Sequence, residues 1–365
     1  MQDGWARAYD DNRDLSHKAV RAMCYAPHTN LYFDQWGMVK VCCWSRQFPV
    51  GDIRKEPVGE IWRGARIQLL REALQSYSFE LGCSFCEAQI GAGWLATTAM
   101  RNFDQFAVGS PIPEWPQRVE LSISNSCNLE CVMCNGDFSS AIRAHREHLP
   151  PRPKIYPDDF IDTLRPFLPH LKQLKFLGGE PFLVPEYYRL WDMMIEDGLP
   201  TRCHLTTNGT QYNGRIERIM AAVPMSFAVS LDGATKATVE SIRVNADFDE
   251  QLRILRIFRD YTKQRKTDLS LTFCFMRQNW HEFGEYCLFA DAWECNVGVN
   301  TVVKPPQFGV YTLPAEELRQ VLAEMERQAV TLDTRLKRNR KVWFAELERV
   351  RLKVQQVSAA EPAAA

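Results

Sequence analysis

The sequence has no long hydrophobic run, no excess of charge of one sign and no basic, apolar leader. No stretch approaches the roughly 18 apolar residues of a membrane span, so a membrane partner is not expected. The 44 Lys and Arg residues nearly cancel the 45 Asp and Glu, leaving a net charge of −1. A global field that draws in nucleic acid or anionic lipid is therefore missing, and any nucleic-acid contact has to be local. The opening MQDGWARAYDDNRDLS carries neither the basic nor the apolar segment of a signal peptide, and the expected compartment is the cytoplasm. At about 150 residues per domain, 365 residues suit two to three domains.

Cysteine is what the chain has in excess, with twelve. In a reducing compartment thiols in clusters point to metal rather than to disulfides. Cys24, Cys42, Cys43, Cys83 and Cys86 fall in the first quarter, and Cys127, Cys131 and Cys134 form a tight CxxxCxxC. Cys203, Cys274, Cys287 and Cys295 are isolated and read as small buried hydrophobes.

The stretch LYFDQWGMVKVCCW reads as a hairpin with Gly37 in its turn, followed by one helical stretch, VGEIWRGARIQLLREAL, with an apolar stripe at Ile61, Ala65, Leu69 and Ala73. SPIPEWP, with three prolines in seven residues, is a linker. From residue 117 strand and helix alternate: RVELSIS, LKQLKFLGGEP, TRCHLTTNG, MSFAVSLDG, DLSLTFCFM and VGVNTVVKP are strands with helical patterns between them. Six such units predict a parallel α/β sheet, doubly wound or closed as a barrel, with ligands at the carboxyl ends of its strands. Beyond residue 313 two amphipathic stripes, stepping at Asn339 and Arg340, predict helices packed on the main domain, and SAAEPAAA is a frayed tail.

On spacing alone, three thiols after a strand suit either zinc or an iron-sulfur cluster with one position open. The Gly178, Gly179, Glu180, Pro181 sequence at the end of the next strand, TTNG after the third and SLDG after the fourth complete an ordered set from about Val119 to Lys304. That set resembles the radical S-adenosylmethionine (radical SAM) superfamily. The resemblance implies that Cys127, Cys131 and Cys134 hold a [4Fe-4S] cluster whose remaining iron chelates the methionyl group of SAM. It also implies that Glu180 meets the methionyl ammonium, that Asn208 lies near the ribose, and that Ser230 and Arg243 meet the carboxylate. Cys24, Cys42, Cys83 and Cys86 resemble the SPASM/twitch extension, which holds an auxiliary [4Fe-4S] cluster; Cys43 beside Cys42 leaves open which of the two ligates.

The expected fold is a partial (β/α)6 barrel over residues 117–305, preceded by a twitch-like domain over 1–110 and followed by a helical appendage over 306–365. By resemblance the reaction is hydrogen abstraction from a peptide or small polar natural product, ending in epimerisation, dehydrogenation or crosslinking, with a flavodoxin- or ferredoxin-type reductant. A nucleic-acid-modifying radical enzyme and a zinc-binding interaction protein are the competing readings. Strand parity adds one residue: in LSLTFCFM the apolar set Leu269, Leu271, Phe273 and Phe275 suits the helix-facing side, which puts Cys274 on the lumen side. There a thiol can return a hydrogen atom to a substrate radical.

Overall fold

A computed structural model describes residues 2–45 and 47–360; the end of the expected tail, 361–365, lies outside the described residues. The chain divides into two compact units, the first made of Met1–Asn125, Arg152–His204 and Ile219–Pro224, the second of Ser126–Pro151, Leu205–Arg218 and Met225–Ala365.

In the first unit β1 (Asn30–Phe33) and β2 (Met38–Lys40) form the expected antiparallel hairpin. Gly37 sits at φ +81° in the turn, where a Cβ is strained, and the Asp34 carboxylate accepts the backbone N–H groups of Trp36 and Met38. β3 (Gly51–Asp52) pairs antiparallel with β2. β4 (Arg118–Leu121) then lies parallel to β1, with Asn30 opposite Arg118 and Tyr32 opposite Glu120, and β5 (Gln173–Phe176) lies parallel to β4. The order is thus β3-β2-β1-β4-β5, so the N-terminal hairpin extends the parallel sheet, which strand patterns alone did not predict. Val119, Leu121, Leu174 and Phe176 are buried on one face, and Phe176 packs against Tyr187 and Trp191 of the helix Pro185–Glu196.

The single helix expected after the hairpin is two, Val58–Arg63 and Ala65–Gln75. Gly64, extended at ψ 162°, breaks it and resets the register. The buried stripe becomes Ile61, Ile67, Leu70 and Leu74, whereas Leu69 is 52% exposed. The proline-rich linker is irregular but pinned: Trp62 donates its indole N–H to the Pro113 carbonyl, and Trp115 stacks on His170.

β6 (Arg202–Thr207) begins in the first unit and ends in the second. In the second, β7 (Met225–Ser230), β8 (Leu269–Phe275) and β9 (Asn296–Thr301) run parallel in that order. The apolar parity is helix-facing as expected: Phe227 stacks on Phe258 of the helix Phe248–Arg265, and Phe273 packs on Phe283 and Tyr286 of the helix Phe283–Ala292.

The C-terminal helices, Ala315–Arg335 and Arg340–Ala360, are separated where the stripe steps. Asn339 is the reason. Buried at 1% exposure, its amide donates to the Asp291 carboxylate and the Cys295 carbonyl and accepts the N–H of Val297, so it completes the hydrogen bonding at the start of β9. Trp343, Leu347 and Val350 bury the second stripe. Among the described residues no helix is long and apolar enough to cross a membrane.

Candidate iron-sulfur and SAM site

The CxxxCxxC segment of the second unit is irregular, and its neighbours fix it. Ser139 caps the helix Ser140–His145 by accepting the Ile142 N–H, and its hydroxyl donates to the Leu129 carbonyl. The N–H of Cys127 donates to Ser140 Oγ, whose hydroxyl donates back to the Cys127 carbonyl. Around Cys131, the N–H groups of Glu130 and Val132 donate to the carbonyls of Val244 and Ile242, which places the cysteine beside Arg243. Burial pushes the Cys134 thiol up to about 12, and Cys131 and Cys127 add to the shift. Such thiols lose their protons only to a metal or another strong cation.

Arg243 reaches Cys131 Sγ at 3.7 Å through Nη1 and Asp232 Oδ2 at 2.6 Å through Nη2. Burial works against its charge, but Asp232 and Cys131 more than offset it and the guanidinium stays protonated. Asp232 itself sits at φ +66° just past β7, where its other oxygen accepts the Cys274 N–H at 2.6 Å. Asn279, fully buried, ties the loop by donating to the carbonyls of Asp232 and Cys274. Asp232 was missed in the sequence; its signal was its place in SLDG, opposite the apolar parity of β7.

Asn208 also lies with the triad, its amide 3.9 Å from Cys127 Sγ and 3.0 Å from Asn128 Oδ1. The buried Gln251 holds it by donating to its carbonyl. Ser230 ends β7 opposite Thr272 and is half-buried. Cys274 is half-buried and packs against Ile242, Met276 and Val302.

Glu180 and its glycines belong to the first unit, just after β5. Gly178 adopts φ +105°, and a Cβ there would stand 2.5 Å from the Ser124 carbonyl oxygen. Only glycine fits. The Gly179 N–H donates to the same oxygen. Glu180 is fully buried and accepts the Phe182 N–H on Oε1, and Pro181 opens a short 3-10 turn, Pro181–Leu183.

The other thiol set is in the first unit. Cys83 and Cys86 flank the start of the helix Ser84–Gly91, and Trp44 stacks flat on Phe85 at 3.9 Å, which brings the Cys42 segment to that helix. Burial pushes the Cys24 and Cys42 thiols well up; Cys24 also feels Cys86 and Cys83, and Cys42 feels Cys43, Cys24 and Cys86. Cys43 is felt by both Cys42 and Cys86 and also meets charged groups. Its thiol, pushed to about 11 by burial, has Glu120, Lys175 and Arg118 as its strongest charged neighbours. Among the described residues no three His, Cys, Asp or Glu side chains converge on one point as a mononuclear site requires; the thiols form two looser sets.

Two thiol sets beside a sheet of parallel strands that alternate with helices define an α/β protein with two candidate metal-binding regions. Residues 121–290 match the family model described as the Radical SAM superfamily, and residues 24–87 match the SPASM model, an iron-sulfur cluster-binding domain. The chain carries a radical SAM domain, with a SPASM iron-sulfur domain on its N-terminal side. Its cofactors are SAM, the SAM-binding [4Fe-4S] cluster and an auxiliary cluster, and its fold class is the expected α/β arrangement of parallel strands.

The chain is 29% identical over 159 residues to the AdoMet-dependent heme synthase of Methanosarcina barkeri, which covers 42% of this chain and 43% of that protein. It is 27% identical over 158 residues to the mycofactocin maturase MftC of Mycobacterium tuberculosis, 40% of this chain and 38% of the relative. The matched stretch therefore spans less than half the length of these curated relatives. Among solved structures, Streptococcus suis SuiB bound to its precursor peptide SuiA aligns with a TM-score of 0.44 at 15% identity, over 73% of this chain and 63% of that one.

Proposed function

We propose that this radical SAM enzyme modifies a peptide, by epimerisation, dehydrogenation or crosslinking. One observation carries the reading: a radical SAM domain combined with a SPASM domain in a chain similar to a mycofactocin maturase. Bound together, the cluster and SAM supply an adenosyl radical that takes a hydrogen atom from substrate.

The residues available for holding those groups are this chain's own. Cys127, Cys131 and Cys134 hold the SAM-binding cluster. Glu180 accepts from the methionyl ammonium, with Gly178 and Gly179 admitting the ligand and Pro181 fixing the turn. Asn208 serves the ribose, and Ser230 and Arg243 serve the carboxylate. Cys24, Cys42, Cys83 and Cys86 hold the auxiliary cluster, with Cys43 beside Cys42 as the alternative ligand. Cys274 is the candidate hydrogen-atom donor to a substrate radical: its S–H bond breaks as the substrate C–H bond forms. A flavodoxin- or ferredoxin-type protein supplies the electron, and the cytoplasm is the compartment.

The test is to incubate the reconstituted, reduced enzyme and SAM with short peptides encoded beside its gene and to follow peptide mass and stereochemistry. A mass change or an inverted centre that depends on SAM supports the reading. Deoxyadenosine formation that no such peptide stimulates, together with turnover of a non-peptide metabolite, contradicts it.

A further inference from the structure

The polar face of the sheet in the first unit holds a charged group that neither cluster uses. Alternate residues of a strand face opposite sides, and the side of β4 opposite Val119 and Leu121 carries Arg118 and Glu120. Register sets Lys175 of β5 directly across from Glu120. Glu120 is 1% exposed. Its Oε1 accepts from Asn30 Nδ2 at 2.8 Å, and its Oε2 lies 3.2 Å from Arg118 Nη2 and 3.6 Å from Lys175 Nζ.

Oε2 is thus held by two cations, while the buried Arg118 Nε and Asn30 Oδ1 have no hydrogen-bond partner. Burial works against ionisation of Glu120, but Lys175 and Arg118 outweigh it and hold the carboxyl below its ordinary value. His204 on β6 contributes no charge: burial, with the same two cations nearby, pushes its imidazole down to about 4.

The group therefore contains two cations and one anion. Among the described residues Glu120 is the one carboxylate paired with either cation. Taking a charge out of water costs several kcal/mol unless it is compensated. The Arg118 side chain is 8% exposed and lies over the Phe103 ring, whereas that of Lys175 is 24% exposed and, among the described residues, has Glu120 alone as its ion-pair partner. Lys175 is the cation that an incoming group can reach.

We propose that Lys175, positioned by Glu120 and Arg118, binds a carboxylate of the substrate. The ligand class is an acidic side chain or a free α-carboxylate, which would neutralise the surplus positive charge and receive the ammonium donors left open on Lys175. The proposal deepens the peptide reading and rests on it for the identity of the ligand. Its test needs no turnover, so the two can fail separately.

The full-length, reconstituted protein is acetylated with an N-hydroxysuccinimide ester, and labelling of Lys175 is followed by peptide mass spectrometry with three probes. N-acetylglutamate N-methylamide offers a side-chain carboxylate, N-acetylglutamine an α-carboxylate, and N-acetylglutamine N-methylamide neither. At saturating probe, one of the carboxylate compounds is expected to slow labelling of Lys175 by about tenfold or more, the scale of a charge-assisted bond, while the neutral amide does not. Lys55, whose side chain is 78% exposed, serves as the unaffected control. Which carboxylate protects identifies the source. Equal protection by the neutral compound, or none by either acid, overturns the proposal. If the amine resists the reagent, saturation-transfer NMR of the same probes decides: binding that Lys175→Met abolishes supports the site, and binding that it leaves unchanged overturns it.

Discussion

Arg243 and Asp232 meet in a 2.6 Å ion pair whose side chains are 8% and 0% exposed. The pair does two things at once, since Asp232 also receives the Cys274 N–H and Arg243 also reaches Cys131 Sγ. It therefore couples the end of β7, the end of β8 and the triad within one unit. Removing one member of a buried pair leaves the other charge uncompensated. Asp232→Asn is expected to cost about 3 to 5 kcal/mol, read as a thermal midpoint roughly 10 °C lower. The double variant Asp232→Leu, Arg243→Met should lose less than the sum of the single variants, because no charge is then stranded. Additive losses would show that the two side chains act independently.

Cys42 and Cys43 are expected to behave differently despite being neighbours. Cys42→Ala should remove the auxiliary cluster, lowering the iron content of anaerobically reconstituted protein by about four atoms per chain, whereas Cys43→Ala should keep it. Iron analysis with the ultraviolet-visible spectrum of each variant checks this. Loss of iron in the Cys43 variant alone would reverse the assignment.

Much of this arrangement was legible beforehand. The hairpin around Gly37, the six parallel strands and the step at Asn339 each have a local signature: a turn glycine, alternating apolar residues, a break in a stripe. The parallel pairing of β1 with β4 had none, because Asn30 and Arg118 are far apart in sequence and nothing in either strand names its partner. Gly64 was visible, but a glycine within an apolar stripe is compatible with continuation of the helix, and here it extends the backbone instead. The partnership of Asp232 with Arg243 and the divergence of Cys42 from Cys43 depend on loop conformations that strand parity does not reach.

Glu180→Gln is expected to retain both clusters and to weaken SAM binding about tenfold or more, since the amide loses the charge-assisted bond to an ammonium. The fold should survive, because the amide oxygen still accepts the Phe182 N–H that Glu180 Oε1 accepts now. Calorimetric titration of the reconstituted variant with SAM provides the measurement. Unchanged affinity would remove Glu180 from the SAM site.

Cys274→Ser is expected to preserve the loop, because Asp232 accepts the backbone N–H of this residue and a hydroxyl can donate to the same carboxylate as the thiol does. With a peptide substrate in hand, the variant should still form deoxyadenosine but release no product that requires a returned hydrogen atom. Normal turnover would reduce Cys274 to a packing residue against Ile242 and Met276.

The most direct measurement of the whole account is SAM cleavage by the reconstituted, dithionite-reduced protein, run beside the triple variant in which Cys127, Cys131 and Cys134 are alanine. The wild type is predicted to contain about eight irons per chain and to yield methionine and 5′-deoxyadenosine in equal amounts, while the triple variant keeps about half the iron and cleaves no SAM. A fully loaded wild type that leaves SAM intact, or a triple variant that still cleaves it, would contradict the account.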